Sequence, residues 1–136
     1  MVKKRQTSFH CGSEFTLAVL GGKWKTVILC YLSEGPYRYS ELRKLLPALS
    51  DKVLTQRLRD LIAAELVIHR SQHGRGAFST YELSAKGQLL DGLLHQIYAW
   101  GLENAPAFQV KVGEPLKEAG FLISADAQSD GRRGNR

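Results

Sequence analysis

Apolar residues recur along the chain at spacings that change from element to element, and the changes mark the boundaries. From Ser13 to Leu20 (SEFTLAVL) the spacing predicts a short helix, and Gly21-Gly22 interrupts it, because paired glycines weaken a helix and permit a sharp change of direction. A second helix is expected over Lys23 to Ser33. It is apolar nearly all round (Trp24, Val27, Ile28, Leu29, Cys30, Tyr31, Leu32), which implies burial between other elements. Glu34-Gly35-Pro36 stops it. Ser40 then opens a third helix, with Glu41 in its first turn and Leu42, Leu45 and Leu46 at helical spacing, and Pro47 closes it.

The run Ser50 to Leu66 (SDKVLTQRLRDLIAAEL) predicts the most clearly two-sided helix. At roughly 100° per residue, Leu54, Leu58, Leu61 and Ile62 fall on one side, while Lys52, Gln56 and Arg59, with Thr55 beside them, gather on the other. Ser50 can cap its first turn, and Asp51 complements the positive end of its dipole. The link Pro47-Ala48-Leu49 is short, so two capped helices are joined by a tight turn, the local grammar of helix-turn-helix. Taken alone, a polar face of this kind is what most soluble amphipathic helices carry; its meaning depends on what surrounds it.

Beyond Leu66 the period shortens. Val67 to Gln72 and Ala77 to Leu83 are two strand-forming runs around His73-Gly74-Arg75-Gly76, which together predict a hairpin. A hairpin directly after such a helix is a wing, with Arg75 at its tip placed either for a phosphate or minor groove or simply for solvent. Ser84 is expected to cap a long helix reaching about Asn104, striped by Leu89, Leu90, Leu93, Leu94, Ile97, Tyr98 and Trp100. That stripe is wider than one packing contact needs, so Leu90, Leu93, Leu94, Ile97 and Tyr98 are candidates for pairing two copies, with part of the stripe belonging to the core. In residues 105–123 Pro106 breaks the helix, Phe108 to Val112 can form a short strand, and Pro115 to Ala119 a helical turn or two. Residues 124–136 lack the apolar side chains that would offset ordering and are expected to be a disordered tail.

The fold class expected is therefore mainly α with a small β-hairpin: a basic arm at 1–9, a winged helix-turn-helix domain with a long dimerisation helix at 10–104, an extension at 105–123 and the tail. A chain of 136 residues, 43% hydrophobic and 24% charged, suits one globular domain. The basic N-terminus is followed by no apolar stretch of signal-sequence or membrane-spanning length, so a cytoplasmic protein without a membrane partner is expected. The net charge of +6 is unevenly placed. Residues 1–60 hold 11 basic and 5 acidic side chains, whereas residues 61–136 hold 8 of each. A basic excess lying wholly in the first 60 residues, the part that contains the arm and most of the proposed reading helix, points to a polyanion partner.

Catalytic arrangements are missing from the sequence. It has no CxxC, no phosphate-binding glycine loop and no metal-ligand spacing, and neither enzyme activity, cofactor nor metal is expected. A winged helix serving protein assembly would present an apolar or acidic face on Ser50 to Leu66, and the face here is basic and amide-bearing. An architectural DNA-binding module without a sensing role stays open beside a sequence-specific reader, and salt-dependent binding separates them by its sequence preference.

With these residues laid out, the chain resembles the HxlR-type branch of the MarR-like winged helix-turn-helix transcriptional regulators. The matching pieces are Cys11, Glu14 to Leu17, Gly21 to Lys25 (GGKWK), Gly35-Pro36, Tyr39 to Leu42 with Leu45 to Pro47, the run Ser50 to Leu66, and Tyr81 with Leu83 to Gly87. The resemblance spans roughly residues 10–104. It implies a homodimer on double-stranded operator DNA, an inverted repeat, each subunit placing its reading helix in a major groove and its wing over the backbone. Carried over, Lys52, Thr55, Gln56 and Arg59 are the groove contacts, with Gln56 suited to adenine and Arg59 to guanine or phosphate. Arg38 and Ser40 are phosphate contacts, and Ser50 and Arg75 complete the DNA-facing set. Arg57 lies at the flank of the apolar face, where it contacts DNA or braces the fold. The small-molecule inducer is not named by the resemblance.

Two cysteines without a secretory signal argue against a structural disulfide. Cys30 lies in the all-apolar helix and reads as a small core residue. Cys11 precedes the first helix, where the helix dipole, His10 and the cluster Lys3-Lys4-Arg5 can stabilise a thiolate. The resemblance implies a further role, since several family members use a cysteine at this point to sense oxidants or electrophiles; here Gly12 follows it where the family usually carries proline. Sensing and plain packing are the two readings of Cys11.

Overall fold

The computed structural model describes residues 6–72, 74, 76 and 78–113. Six helices and a three-stranded antiparallel sheet are laid out in the order α1 (Gly12–Leu20), α2 (Lys25–Leu32), β1 (Tyr37–Arg38), α3 (Tyr39–Leu45), α4 (Asp51–Ala63), β2 (Val67–Gln72), β3 (Phe78–Leu83), α5 (Ala85–Gln88) and α6 (Asp91–Asn104), followed by a 3₁₀ turn at Ala105–Phe108. The expected mainly helical winged fold is what the chain forms. Among the described residues no single helix is long and apolar enough to cross a membrane.

The core is the meeting of α2, α3, α4 and α6. Ile28 and Leu29, Leu42, Leu54, Leu58 and Leu61, and Leu94 are essentially inaccessible to water, one or more from each of these helices. The apolar side of α4 thus goes inward at Leu54, Leu58 and Leu61, as its periodicity predicts. Cys30 belongs to this interior: burial, reinforced by the Asp91 and Glu34 carboxylates, pushes its thiol up to about 12. Between α2, the end of α3 and α6 lies an apolar cavity of about 490 Å³ whose walls include Trp24, Val27, Cys30, Leu46, Leu94 and Tyr98.

Several boundaries fall differently from expectation, each for a tertiary reason. The hairpin gains a third strand, in the order β1-β3-β2, with Tyr37 opposite Tyr81 and Val67 opposite Leu83. Because Tyr37–Arg38 is held extended by that pairing, α3 begins at Tyr39 and not after a Ser40 cap; the Arg38 N–H donates to Glu41 Oε1 at 2.8 Å. The helix α4 stops at Ala63, short of the expected Leu66. Glu65 turns left-handed (φ 63°), the Leu66 N–H donates to Leu61 and the Glu65 N–H to Ile62, which satisfies carbonyls that the helix end leaves open.

The single helix expected from Ser84 to Asn104 is two. Ser84 Oγ does accept the Gly87 N–H at 3.0 Å, but α5 ends after four residues, and the chain turns through Leu89 and Leu90 into α6. Gly87 backs onto the Leu66 carbonyl, tying α5 to the root of β2, whereas α6 packs on α2, so the two pieces serve different contacts. Leu94 consequently leaves the proposed pairing stripe, since it is fully buried within the chain. Leu90 and Tyr98 also pack partly against the core, while Leu93, Ile97 and Trp100 stay exposed. Phe108 to Val112 forms no strand: Ala105–Phe108 is the 3₁₀ turn, with Pro106 in its first positions, and residues 109–113 are irregular. Arg75, Lys3 to Arg5, the proposed turn at Pro115 to Ala119 and the tail from 124 lie outside the described residues.

Candidate nucleic-acid interface

Two side chains of α3 grip the start of α4 and so set the angle between the helices. Tyr39 donates its hydroxyl to Asp51 Oδ1 at 2.7 Å and lies 3.4 Å from Thr55 Oγ1. Arg43 Nε meets the same Asp51 carboxylate at 2.9 Å, and its Nη1 donates to the Leu49 carbonyl in the turn. The turn itself is anchored inward by Leu46 and Leu49, both buried. An exposed ion pair of this kind contributes at most about 1 kcal/mol; its larger effect is geometric, because it fixes where α4 begins. Ser50 Oγ accepts the Val53 N–H at 3.1 Å, so this residue caps the helix as its sequence position implies.

The outer face of α4 carries Lys52, Gln56 and Arg59, all exposed, with Thr55 half-buried beside Tyr39. Among the described residues Lys52 and Arg59 make no hydrogen bond or ion pair, so both cations remain available to an external anion. Gln56 is instead held, its Nε2 donating to Asp60 Oδ1 at 2.9 Å. Arg57 braces the fold: its Nε donates to the Lys23 carbonyl at 3.2 Å and its Nη1 meets Asp60 Oδ2 at 3.1 Å. Of the two roles the sequence left open for Arg57, these contacts occupy it inward.

Arg38 lies on β1 with its guanidinium 4.2 Å from the centre of the Phe78 ring on β3, so the wing holds this cation by a cation–π contact while leaving it exposed. Ser40, also exposed, follows two residues later in the first turn of α3. Behind them, His69 stacks on Tyr81 across β2 and β3 with ring centres 4.4 Å apart. Burial, with Tyr39 nearby, raises the Tyr81 phenol above its ordinary range, and the Arg59 cation opposes that shift. What sequence reasoning missed is the bracing role of Tyr39 and Asp51 and the hold of Asp60 on Gln56 and Arg57. Their partners lie across a turn or on a flank, and no helical or strand period reports such contacts.

Cys11 is exposed and stands in extended conformation as the residue before α1. No side-chain hydrogen bond caps the helix, yet the N–H groups of Glu14 and Ser13 face the sulfur and hold its thiol below the usual range. The helix N-terminus therefore supplies the expected effect. His10 takes another part, its N–H donating to Glu14 Oε2 at 2.6 Å.

Residues 19–109 match the HxlR-like helix-turn-helix family. The chain is 45% identical over 102 residues to YtcD of Bacillus subtilis (strain 168), an HTH-type transcriptional regulator otherwise uncharacterised, covering 74% of this chain and 78% of that protein. Among solved structures it superposes on the redox regulator HypR in its oxidised form (34% identity, TM-score 0.65, 69% of this chain and 97% of that one) and in its reduced form (31%, 0.69, 73% and 98%). The reduced form of the transcriptional regulator YodB from B. subtilis is also similar, at 29% identity and a TM-score of 0.62 over 68% of this chain and 92% of that one. With the helix-turn-helix, its wing and the family match covering the same residues, the chain belongs to the HxlR-like helix-turn-helix family and is a transcriptional regulator of the helix-turn-helix type.

Proposed function

We propose that this regulator reads operator DNA as a homodimer, with α4 in the major groove and the wing over the adjacent backbone. The observation that carries the reading is the exposed face of α4, where Lys52 and Arg59, cations without an ion pair among the described residues, flank the held amide of Gln56. Arg38 and Ser40 are phosphate contacts at the edge of that face, and Ser50, though its oxygen caps α4, keeps a hydroxyl proton for a phosphate. Pairing draws on Leu93, Ile97 and Trp100 of α6, with Leu90 and Tyr98 behind them, and on Phe15 and Leu17 of α1, whose exposed apolar surface a second copy would cover.

The test is binding to duplexes taken from the DNA upstream of the protein's own gene, over a salt series. Preference over random duplex by roughly 10³-fold or more is expected, with affinity falling steeply as salt rises. Equal affinity for random and upstream DNA would sink the reader and favour an architectural role.

A sensing role for Cys11 is supported by its exposed, acidified thiol and by the likeness to HypR, a redox regulator seen in both redox forms. In this reading oxidation or alkylation of Cys11 shifts α1 and with it the spacing of the two reading helices. Alkylation by iodoacetamide should follow an apparent pKa below that of a free thiol, at one thiol per chain, while Cys30 stays unmodified until unfolding. Upstream-duplex affinity measured with and without diamide or methylglyoxal should change for the wild type and not for Cys11→Ser. An unchanged wild-type affinity after treatment removes the sensor.

A further inference from the structure

Gln56 and Arg57 converge on one carboxylate a turn further along α4. Gln56 Nε2 donates to one oxygen of Asp60 at 2.9 Å and Arg57 Nη1 to the other at 3.1 Å. Arg57 is itself tied to the Lys23 carbonyl in the connection between α1 and α2. Both Arg57 and Asp60 keep only 31% of their side-chain surface exposed, so the pair is a partly sheltered anchor beneath an exposed amide.

An amide has an acceptor oxygen and two N–H donors, whereas a carboxylate only accepts. Asp60 therefore decides which end of the Gln56 amide turns toward it. One N–H is committed to Asp60, which leaves Oε1 and the second N–H as an acceptor and a donor side by side. The major-groove edge of adenine offers the complement, the N6 amino donor and the N7 acceptor. Guanine offers two acceptors, N7 and O6, and one of them would face Oε1.

Resting on the reading of α4 as the groove helix, the geometry points to Asp60 as a positioning residue that sets the base preference of Gln56, selecting adenine over guanine. Arg57 holds Asp60 in turn against the connection between α1 and α2. Neither Asp60 nor Arg57 touches the base.

The test is selection of the full chain on a randomised duplex library, for the wild type, Gln56→Ala, Asp60→Asn and Asp60→Ala. In Asp60→Asn the guanidinium of Arg57, which can only donate, draws the new amide oxygen toward itself. The amide nitrogen then faces Gln56, which must present Oε1 to it and so reverses its own amide. The wild type should select adenine at one position of each half-site, and Gln56→Ala should erase that preference. Asp60→Asn should lower the adenine-to-guanine ratio there by roughly tenfold, with the other positions keeping their order. Asp60→Ala, which leaves the Gln56 amide free to rotate, should give a smaller loss at the same position. A ratio unchanged in both Asp60 variants, with Gln56→Ala still erasing the preference, overturns the proposal and leaves the groove reading standing. A uniform loss at every position, accompanied by a lower Tm, would make Asp60 merely structural and overturns it as well. If Gln56→Ala changes nothing, the groove reading of this residue fails and the proposal falls with it.

Discussion

Gly87→Ala is expected to destabilise the chain by about 3 kcal/mol and to lower its Tm by roughly 10 °C. A Cβ at this position would overlap the Leu66 carbonyl oxygen, besides lying 3.2 Å from the Leu66 carbonyl carbon and 3.4 Å from Leu83 Cβ. That oxygen has nowhere to retreat, since it accepts the Ser84 N–H at 2.9 Å and its residue is buried where α4 hands over to β2. Two backbones must separate, and the Ser84 cap on Gly87 would be lost with them. Gly92→Ala is the matched control. It lies in the first turn of α6, where an added methyl would meet no atom within 4 Å, so removing the conformational entropy of glycine should stabilise by about 0.5–1 kcal/mol. Thermal denaturation followed by circular dichroism reads both. An unshifted Tm for Gly87→Ala would refute the close approach of α5 to the root of the wing.

Arg59→Ala is expected to weaken binding to the selected duplex by about 2 kcal/mol, roughly thirtyfold, and to relax preference at the position it contacts. Arg59 is exposed, contributes no core surface and forms no ion pair among the described residues, so folding stability should change by less than about 0.5 kcal/mol. Lys52→Ala separates phosphate from base contact. A lysine at the mouth of the groove that neutralises a phosphate should cost affinity evenly across sequences and reduce the salt dependence by about one counterion. Fluorescence anisotropy at several salt concentrations gives both slopes. Should Arg59→Ala bind as tightly as the wild type at every salt concentration, the outer face of α4 would not be the reading surface.

The elements nearest to what periodicity can report were legible in the sequence. The apolar positions of α4 predict its buried side at Leu54, Leu58 and Leu61, with Ile62 packing partly against the core, and Ser50 marks its start in both sequence and structure. The two long strands were legible from their β-branched and aromatic content, whereas β1 was not, because two residues carry no period and Tyr37–Arg38 is a strand only through β3. The end of α4 was also hidden. A left-handed residue at a helix end is usually glycine, and here it is Glu65, held by the Lys86 ion pair at 2.5 Å and by Ser84 Oγ donating to its carbonyl at 2.6 Å. The candidate interface divides in the same way. Lys52, Gln56 and Arg59 share a face by helical arithmetic, but Asp60, Asp51 and Tyr39 acquire their roles from partners that only the folded chain brings near.

By itself the sequence determined the winged helix-turn-helix plan, the inward side of α4 and the cations that face outward. These follow from side-chain polarity at a fixed rise and turn, a local property that each segment carries wherever it is placed. Only the tertiary structure decided that the final helix breaks at Leu89-Leu90, that Leu94 belongs to the core and not to a pairing surface, that Arg57 points inward, and that the Gln56 amide is held by Asp60. Each of those depends on a contact between segments distant in sequence or on a choice among hydrogen-bond partners, and neither has a period to read.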